Sequence, residues 1–201
     1  MGQTPLFIAA PVTAIGAFTD GIEGPACDVN GDVYAVNFHH QGTIGRIDAN
    51  GEGEVYVELP SGSVGNGIRF GLDKEMFVAD YTGHNVLRID PATNAVTKRT
   101  ALGRFDHENV AYMANSDRRV AFYMGHDGTP GCIYKFVCDR AYSSSDRAAN
   151  TDLLDRGTLY VARFNGDGTG EWRALVQGQN GLTAGASDPG NVSQFTTPPE
   201  P

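Results

Sequence analysis

The chain has 201 residues, 40% of them hydrophobic and 19% charged, with a net charge of -9 and a pI near 4.9. That balance supports one large domain or two small ones with a sizeable core. It excludes a protein that grips a nucleic-acid backbone, which needs a basic face, and no apolar run reaches the length of a membrane span.

Residues 5–18, PLFIAAPVTAIGAF, are apolar but lack a basic leader and hold an internal proline, so they are not expected to be a signal peptide. Cytoplasmic location follows as the default, and VTAIGAF (12–18) reads as an opening strand. DVYAVNF (32–38), EMFVADY (75–81) and RVAFYMG (119–125) are rich in β-branched and aromatic residues and bounded by turn residues. TIGRID (43–48), NVLRID (85–90) and CIYKFV (132–137) alternate with period two. GEVYVELP (53–60) and AVTKRTAL (95–102) read as more polar outer strands. VNGD, GLDK, PATN and NSDRR supply hairpin turns. SSSDRAANTDLLDRG (143–157) is a polar excursion with a short helical turn expected at 150–155, and GTLYVARFNGDGTGEWRALVQ (157–177) is a hairpin over NGDGTG. Cys27, Cys132 and Cys138 match neither a disulfide framework nor a zinc spacing and are expected as free thiols.

The chain repeats itself. Gly24 falls on Gly67 and Tyr34 on Phe77 at a step of 43, while Arg46-Ile47-Asp48 falls on Arg88-Ile89-Asp90 at a step of 42. A looser third copy runs over 107–136, with Val120 lying 43 beyond Phe77 and Tyr134-Lys135-Phe136 in the place of Arg88-Ile89-Asp90. A period of this size built from short strands points to an all-β fold of β-propeller blades, three to four per chain. The expected layout is a single propeller-type domain over 1–177, with blades at about 20–60, 61–102 and 103–177, followed by a flexible tail at 178–201. So few blades leave unpaired edges. Either 143–177 supplies a fourth blade, or two chains share a ring, or the chain is a piece of a longer protein. A homodimer or larger assembly covering the edges is the expectation adopted.

In a propeller the innermost strand of each blade starts near the axis, so equivalent positions converge. Here those positions hold Glu23, Asn66 and the pair Glu108-Asn109. Carboxylate and amide oxygens suit a hard divalent cation, Ca²⁺ in the first place, with Mg²⁺, Mn²⁺ and Zn²⁺ left open. The competing reading is that Glu23 and Asn66 cap their own turns. Asp106, His107 and Asp80 are the candidates for moving a proton, although an aspartate in the position of Asp80 also caps turns. His39-His40 stand on opposite faces of a strand and cannot share a metal, whereas His126-Asp127 follows the third core strand and lines the channel mouth. Arg104 is the arginine placed to meet an anionic substrate.

These residues also carry family resemblances. IEGPACDVNGDVYAV and GNGIRFGLDKEMFVADYTGHNVLRID resemble the gluconolactonase, senescence-marker-protein and luciferin-regenerating-enzyme family over about residues 15–100. That resemblance implies a six-bladed propeller hydrolysing lactones or related esters with one divalent metal, with Glu23 and Asn66 among the ligands. GRFDHENVAY, RRVAFYMGHDGTPGCIYKFV and LLDRGTLYVARFNGDGTGEW are similar to the PhoX-type alkaline phosphatases over about 102–177. That second resemblance implies a calcium-dependent propeller in which Glu108 matches a metal-binding glutamate. The lactonases' later aspartate and the phosphatases' cysteine segment have no counterpart. The expectation is therefore a metal-dependent hydrolase of a lactone or related ester, with a small-molecule substrate, no nucleic acid and no membrane. A PhoX-like calcium-dependent phosphatase is the first alternative and a non-catalytic interaction module the second.

Overall fold

The computed structural model describes residues 10–182. Among them, thirteen strands form three antiparallel sheets in chain order. The first sheet holds β1 (Ala26–Cys27), β2 (Val33–Val36), β3 (Thr43–Ile47) and β4 (Gly53–Glu58). The second holds β5 (Gly65–Phe70), β6 (Met76–Asp80), β7 (Asn85–Ile89) and β8 (Val96–Arg99). The third holds β9 (His107–Ala114), β10 (Arg119–His126), β11 (Ile133–Ala141), β12 (Gly157–Phe164) and β13 (Gly170–Ala174). Each sheet meanders outward from its first strand, as a propeller blade does. No helix among the described residues is long and apolar enough to cross a membrane.

Packing follows from the alternation of side chains. Tyr34, Val36 and Ile44 of the first sheet join Ile68, Met76, Val78, Leu87 and Ile89 of the second in one core cluster. Phe77 and Val86, on the other face of the second sheet, join Val110, Phe122, Met124, Tyr134 and Phe136 of the third in another. The second sheet is thus sandwiched, and every residue of β6 and β7 is buried. A strand covered on both faces reads as a continuous apolar run, which MFVAD and NVLRI show. Each large side chain fully buried in these clusters stabilises the fold by about 1.5–3 kcal/mol.

Three features differ from the sequence reading. VTAIGAF forms no strand; only an isolated bridge between Phe18 and Phe38 survives. Around that bridge Thr19 N–H donates to the Asn37 carbonyl and His39 N–H to the Ala17 carbonyl, each at 3.0 Å. There Asn37, at φ 60°, turns the chain and lays the Phe38 ring over Gly45 and Gly53, where side chains would collide with it. Phe18 closes on Phe38 edge-to-face at 4.9 Å. Residues 143–177 do not make a fourth sheet: β12 pairs with β11 and β13 with β12, widening the third. The helical turn expected at 150–155 is a single 3₁₀ turn at Ala148–Asn150. The third repeat is also re-registered. Tyr34 faces Arg46 and Phe77 faces Arg88 across their strand pairs, and in the third sheet the equivalent pair is Tyr123 and Lys135. A register shift in β10 and the longer turn before β11 absorb the difference. The tail expected at 178–201 lies, from residue 183 on, outside the described residues.

The three sheets meet most closely at the starts of their inner strands. Gly24 sits at φ 55°, and a Cβ there would lie 2.1 Å from the Asn66 carbonyl oxygen. A Cβ on Gly67 would lie 2.4 Å from Asn109 Oδ1 and 3.0 Å from its Cα. Only glycine permits backbones this close. Gly24→Ala should therefore destabilise the chain by about 3 kcal/mol or more. Gly62→Ala, at φ 81° with no atom within 4 Å of its Cβ position, should cost only the left-handed backbone penalty of about 1 to 2 kcal/mol. Urea unfolding of both variants measures the difference.

Candidate metal centre

The glycine contacts bring three strand starts to one mouth. Antiparallel pairing adds the ends of the second strands, because Gly65 faces Asp80 and His107 faces His126. Turns after β2, β6 and β10 therefore share this end of the molecule with Glu23, Asn66 and Glu108.

The side chains at the mouth interact across sheets. Asn66 Nδ2 donates to Glu108 Oε2 at 3.2 Å, joining residues 42 apart in sequence. Glu108 is half-buried. Its carboxyl is pushed up from the ordinary value first by burial, then by the negative charges of Asp127 and Glu23, with a carboxyl–carboxyl hydrogen bond to Asp127 adding to the rise. The Asn66 bond opposes the rise. So Glu23, Asn66 and Glu108 are brought together, and Asp127 joins them from the turn after β10. Asn109 is placed differently: its Oδ1 accepts from the Val110 N–H at 2.8 Å and is spent on its own strand.

The candidate proton-moving residues separate. Asp106 is half-buried at the same end, where His84 Nδ1 lies 2.6 Å from its Oδ1, and its main-chain oxygen accepts from Asp127 N–H at 3.0 Å. His107 points the other way, as strand alternation requires beside Glu108. It is fully buried, stacked on Phe105 at 3.7 Å, and its Nε2 is 3.2 Å from the Gly103 carbonyl oxygen. Burial drives its pKa down to about 4, so it is a neutral core residue at pH 7. Asp80 is also fully buried. It accepts from Ser63 Oγ at 2.8 Å, Gly83 N at 2.9 Å and Asn85 Nδ2 at 3.2 Å, which closes the β6–β7 turn. His39 and His40 are exposed beyond β2, and His126 is half-buried against Phe105. Arg104 is exposed two residues ahead of Asp106.

The sequence reading passed over His84. Its one signal is position: it lies in the turn after β6, and such a turn abuts the entry to the next inner strand. Asp127 was read as a mouth residue but not as a neighbour of Glu108. Glu23, Asn66, Glu108 and Asp127 carry the hard oxygen donors that a divalent cation prefers, and Glu108's pKa is raised first by burial and then by the charges of Asp127 and Glu23. Among the described residues, no three or more His, Cys, Asp or Glu side chains stand close enough together to hold a metal ion.

Comparison with known proteins adds the following. The family model described as alkaline phosphatase PhoX matches residues 34–198. No curated protein matches. Among solved structures, PhoX of Pseudomonas fluorescens in complex with vanadate is 41% identical over 56% of this chain and 22% of its own, with a TM-score of 0.49. A gluconolactonase of Xanthomonas campestris is 16% identical over 76% of this chain and 61% of its own, at a TM-score of 0.50. A virginiamycin B lyase of Staphylococcus aureus is 16% identical over 79% of this chain and 56% of its own, at 0.44. The gluconolactonase likeness shows a shared propeller-type fold. The chain spans only about a fifth of the length of the PhoX structure it matches.

Glu108's raised pKa has a consequence for stability. With the folded value above the unfolded one, its contribution is fully present below the unfolded pKa and is lost as pH rises through the folded value. Without metal, wild-type chain should lose stability as pH climbs from 4.5 toward neutrality relative to Glu108→Gln. Added Ca²⁺ should cancel that difference. Denaturant unfolding at a series of pH values, with and without Ca²⁺, reads both effects.

Proposed function

The chain belongs to the alkaline phosphatase PhoX family, and from that membership we propose that it contributes part of a metal-dependent centre that hydrolyses phosphate monoesters. The observation that carries the reading is the meeting of Asn66 and Glu108 across two sheets, with the charges of Glu23 and Asp127 reaching the same carboxyl. Family membership supports a hydrolase. The finer assignment rests on what stands at the mouth.

Glu23, Asn66 and Glu108 would hold the cation, with Asp127 beside them and Asn109 contributing less because its oxygen is engaged. Calcium takes first place because every donor is a hard oxygen. A bound divalent cation supplies positive charge to a phosphoryl oxygen and to the attacking water. Arg104 offers a forked donor set to the remaining phosphoryl oxygens. Asp106 is the carboxylate available to accept the water's proton, and His84 fixes its orientation through the 2.6 Å contact. His107 and Asp80 take no part, since both are enclosed by the core.

A lactone or related ester is the second reading. Glu23-Gly24-Pro25 and Asn66-Gly67 favour it, because a cation at the same place polarises a carbonyl as readily as a phosphoryl group. The two separate on substrate: p-nitrophenyl phosphate against a panel of γ-lactones, each assayed with Ca²⁺ and with EDTA. Metal-dependent turnover of the phosphate ester alone supports the first reading, and turnover of lactones alone replaces it with the second. No EDTA-sensitive turnover of either would leave the chain a scaffold. Arg104→Ala should lower kcat/KM on the phosphate ester by about 100-fold, the loss of one good charge-assisted contact. Glu23→Ala should weaken Ca²⁺ binding at least about tenfold, with the circular dichroism spectrum unchanged. Calorimetric titration with Ca²⁺ measures this.

A further inference from the structure

The turn after β6 is braced from beneath. Asp80 ends β6 fully buried, and its carboxylate holds both flanks of His84. Oδ1 accepts from the Gly83 N–H at 2.9 Å, and Oδ2 from Asn85 Nδ2 at 3.2 Å. Asn85 Nδ2 also donates to the Gly83 carbonyl at 2.5 Å, which closes a ring of bonds around the histidine. A third donor, Ser63 Oγ at 2.8 Å, ties the same carboxylate to the segment that enters β5. The turn backbone rests directly on this group, since a Cβ on Gly83 would lie 2.0 Å from Asp80 Oδ2. Between Gly83 and Asn85, His84 takes a left-handed φ of 51°, uncommon outside glycine. Its side chain is 56% exposed, and Nδ1 lies 2.6 Å from Asp106 Oδ1. An imidazole so exposed takes its direction from the backbone it leaves and the carboxylate it meets.

The first repeat lacks this brace. The equivalent of Asp80, 43 residues earlier, is Asn37, whose Nδ2 donates outside its own turn, to the Gly21 carbonyl at 3.0 Å. There Thr43 Oγ1 closes the turn by donating to the Phe38 and His40 carbonyls. Such a turn therefore forms without a buried carboxylate, a group that is costly to enclose. Resting on the phosphatase reading above, we propose that Asp80 is a positioning residue of the same site. It takes no part in the proton transfer. It holds the His84 turn so that Nδ1 meets Asp106, and Asp106 is thereby aimed at the attacking water.

Two measurements test the brace, and one needs no turnover. In nitrogen NMR spectra of the full chain at about pH 9, with imidazoles neutral, His84 should show the Nδ1–H tautomer that donation to Asp106 selects. Asp80→Asn should move it largely to the Nε2–H form. Ile89→Val, a core change at the other end of the second sheet, should leave it alone. On p-nitrophenyl phosphate, Asp80→Asn and His84→Ala should each lower kcat about tenfold at nearly constant KM, and the double variant should lose no more than either. Ile89→Val should keep the wild-type kcat. The proposal is overturned by a wild-type His84 in the Nε2–H form, by a tautomer unchanged in Asp80→Asn, or by an Asp80→Asn loss that persists in the His84→Ala background. Should Asp80→Asn not fold, Asn85→Ala removes one flank of the brace and is read the same way. If the wild-type chain turns over no phosphate ester, the phosphatase reading falls and the tautomer alone decides the brace.

Discussion

The spacing of neighbouring sheets depends on glycines pressed against the next inner strand. Gly24 lies against the Asn66 carbonyl, and Gly67 against Asn109. These contacts set the distance between neighbouring inner strands, and that distance sets everything at the mouth. A wider gap would carry Asn66 out of reach of Glu108 and remove the electrostatic grip of Glu23 on the same carboxyl. The glycines act on function only through geometry, since they contribute no chemistry of their own.

The electrostatics follow from that approach. Burial raises the proton affinity of Glu108, and the negative charges of Asp127 and Glu23 add to the rise. A few residues away, opposite arrangements hold. Asp80 is buried but satisfied by three donors, and His107 is buried and neutral. The chain therefore places its polar groups in two ways: enclosed and paired where they hold turns, as at Asp80, and half-buried beside like charge, as at Glu108.

Much of this was legible in the sequence because repeats with a fixed step must put equivalent residues in equivalent places. Glu23, Asn66 and Glu108 were singled out by counting. The strand cores were found by alternation and composition. What escaped was what counting cannot see. His84, and the nearness of Asp127 to Glu108, come from turns, whose lengths drift between repeats. His107 shares a strand with Glu108, and only the direction of its side chain removes it from the mouth. Val120 was aligned with Phe77, but irregular pairing in β10 shifts the match to Tyr123. The opening strand failed because only Phe18 of the segment bridges the chain, at Phe38, while Val12 and Ile15 stay exposed.

The cover over the first sheet bears on how such a chain could lengthen. Phe38 is folded back by the left-handed turn at Asn37 and occupies the space that the absent side chains of Gly45 and Gly53 leave. A duplicated repeat joined ahead of β1 would have to evict that ring before it could dock. Any unit meeting the first sheet from that side therefore touches an aromatic ring before it touches bare strands.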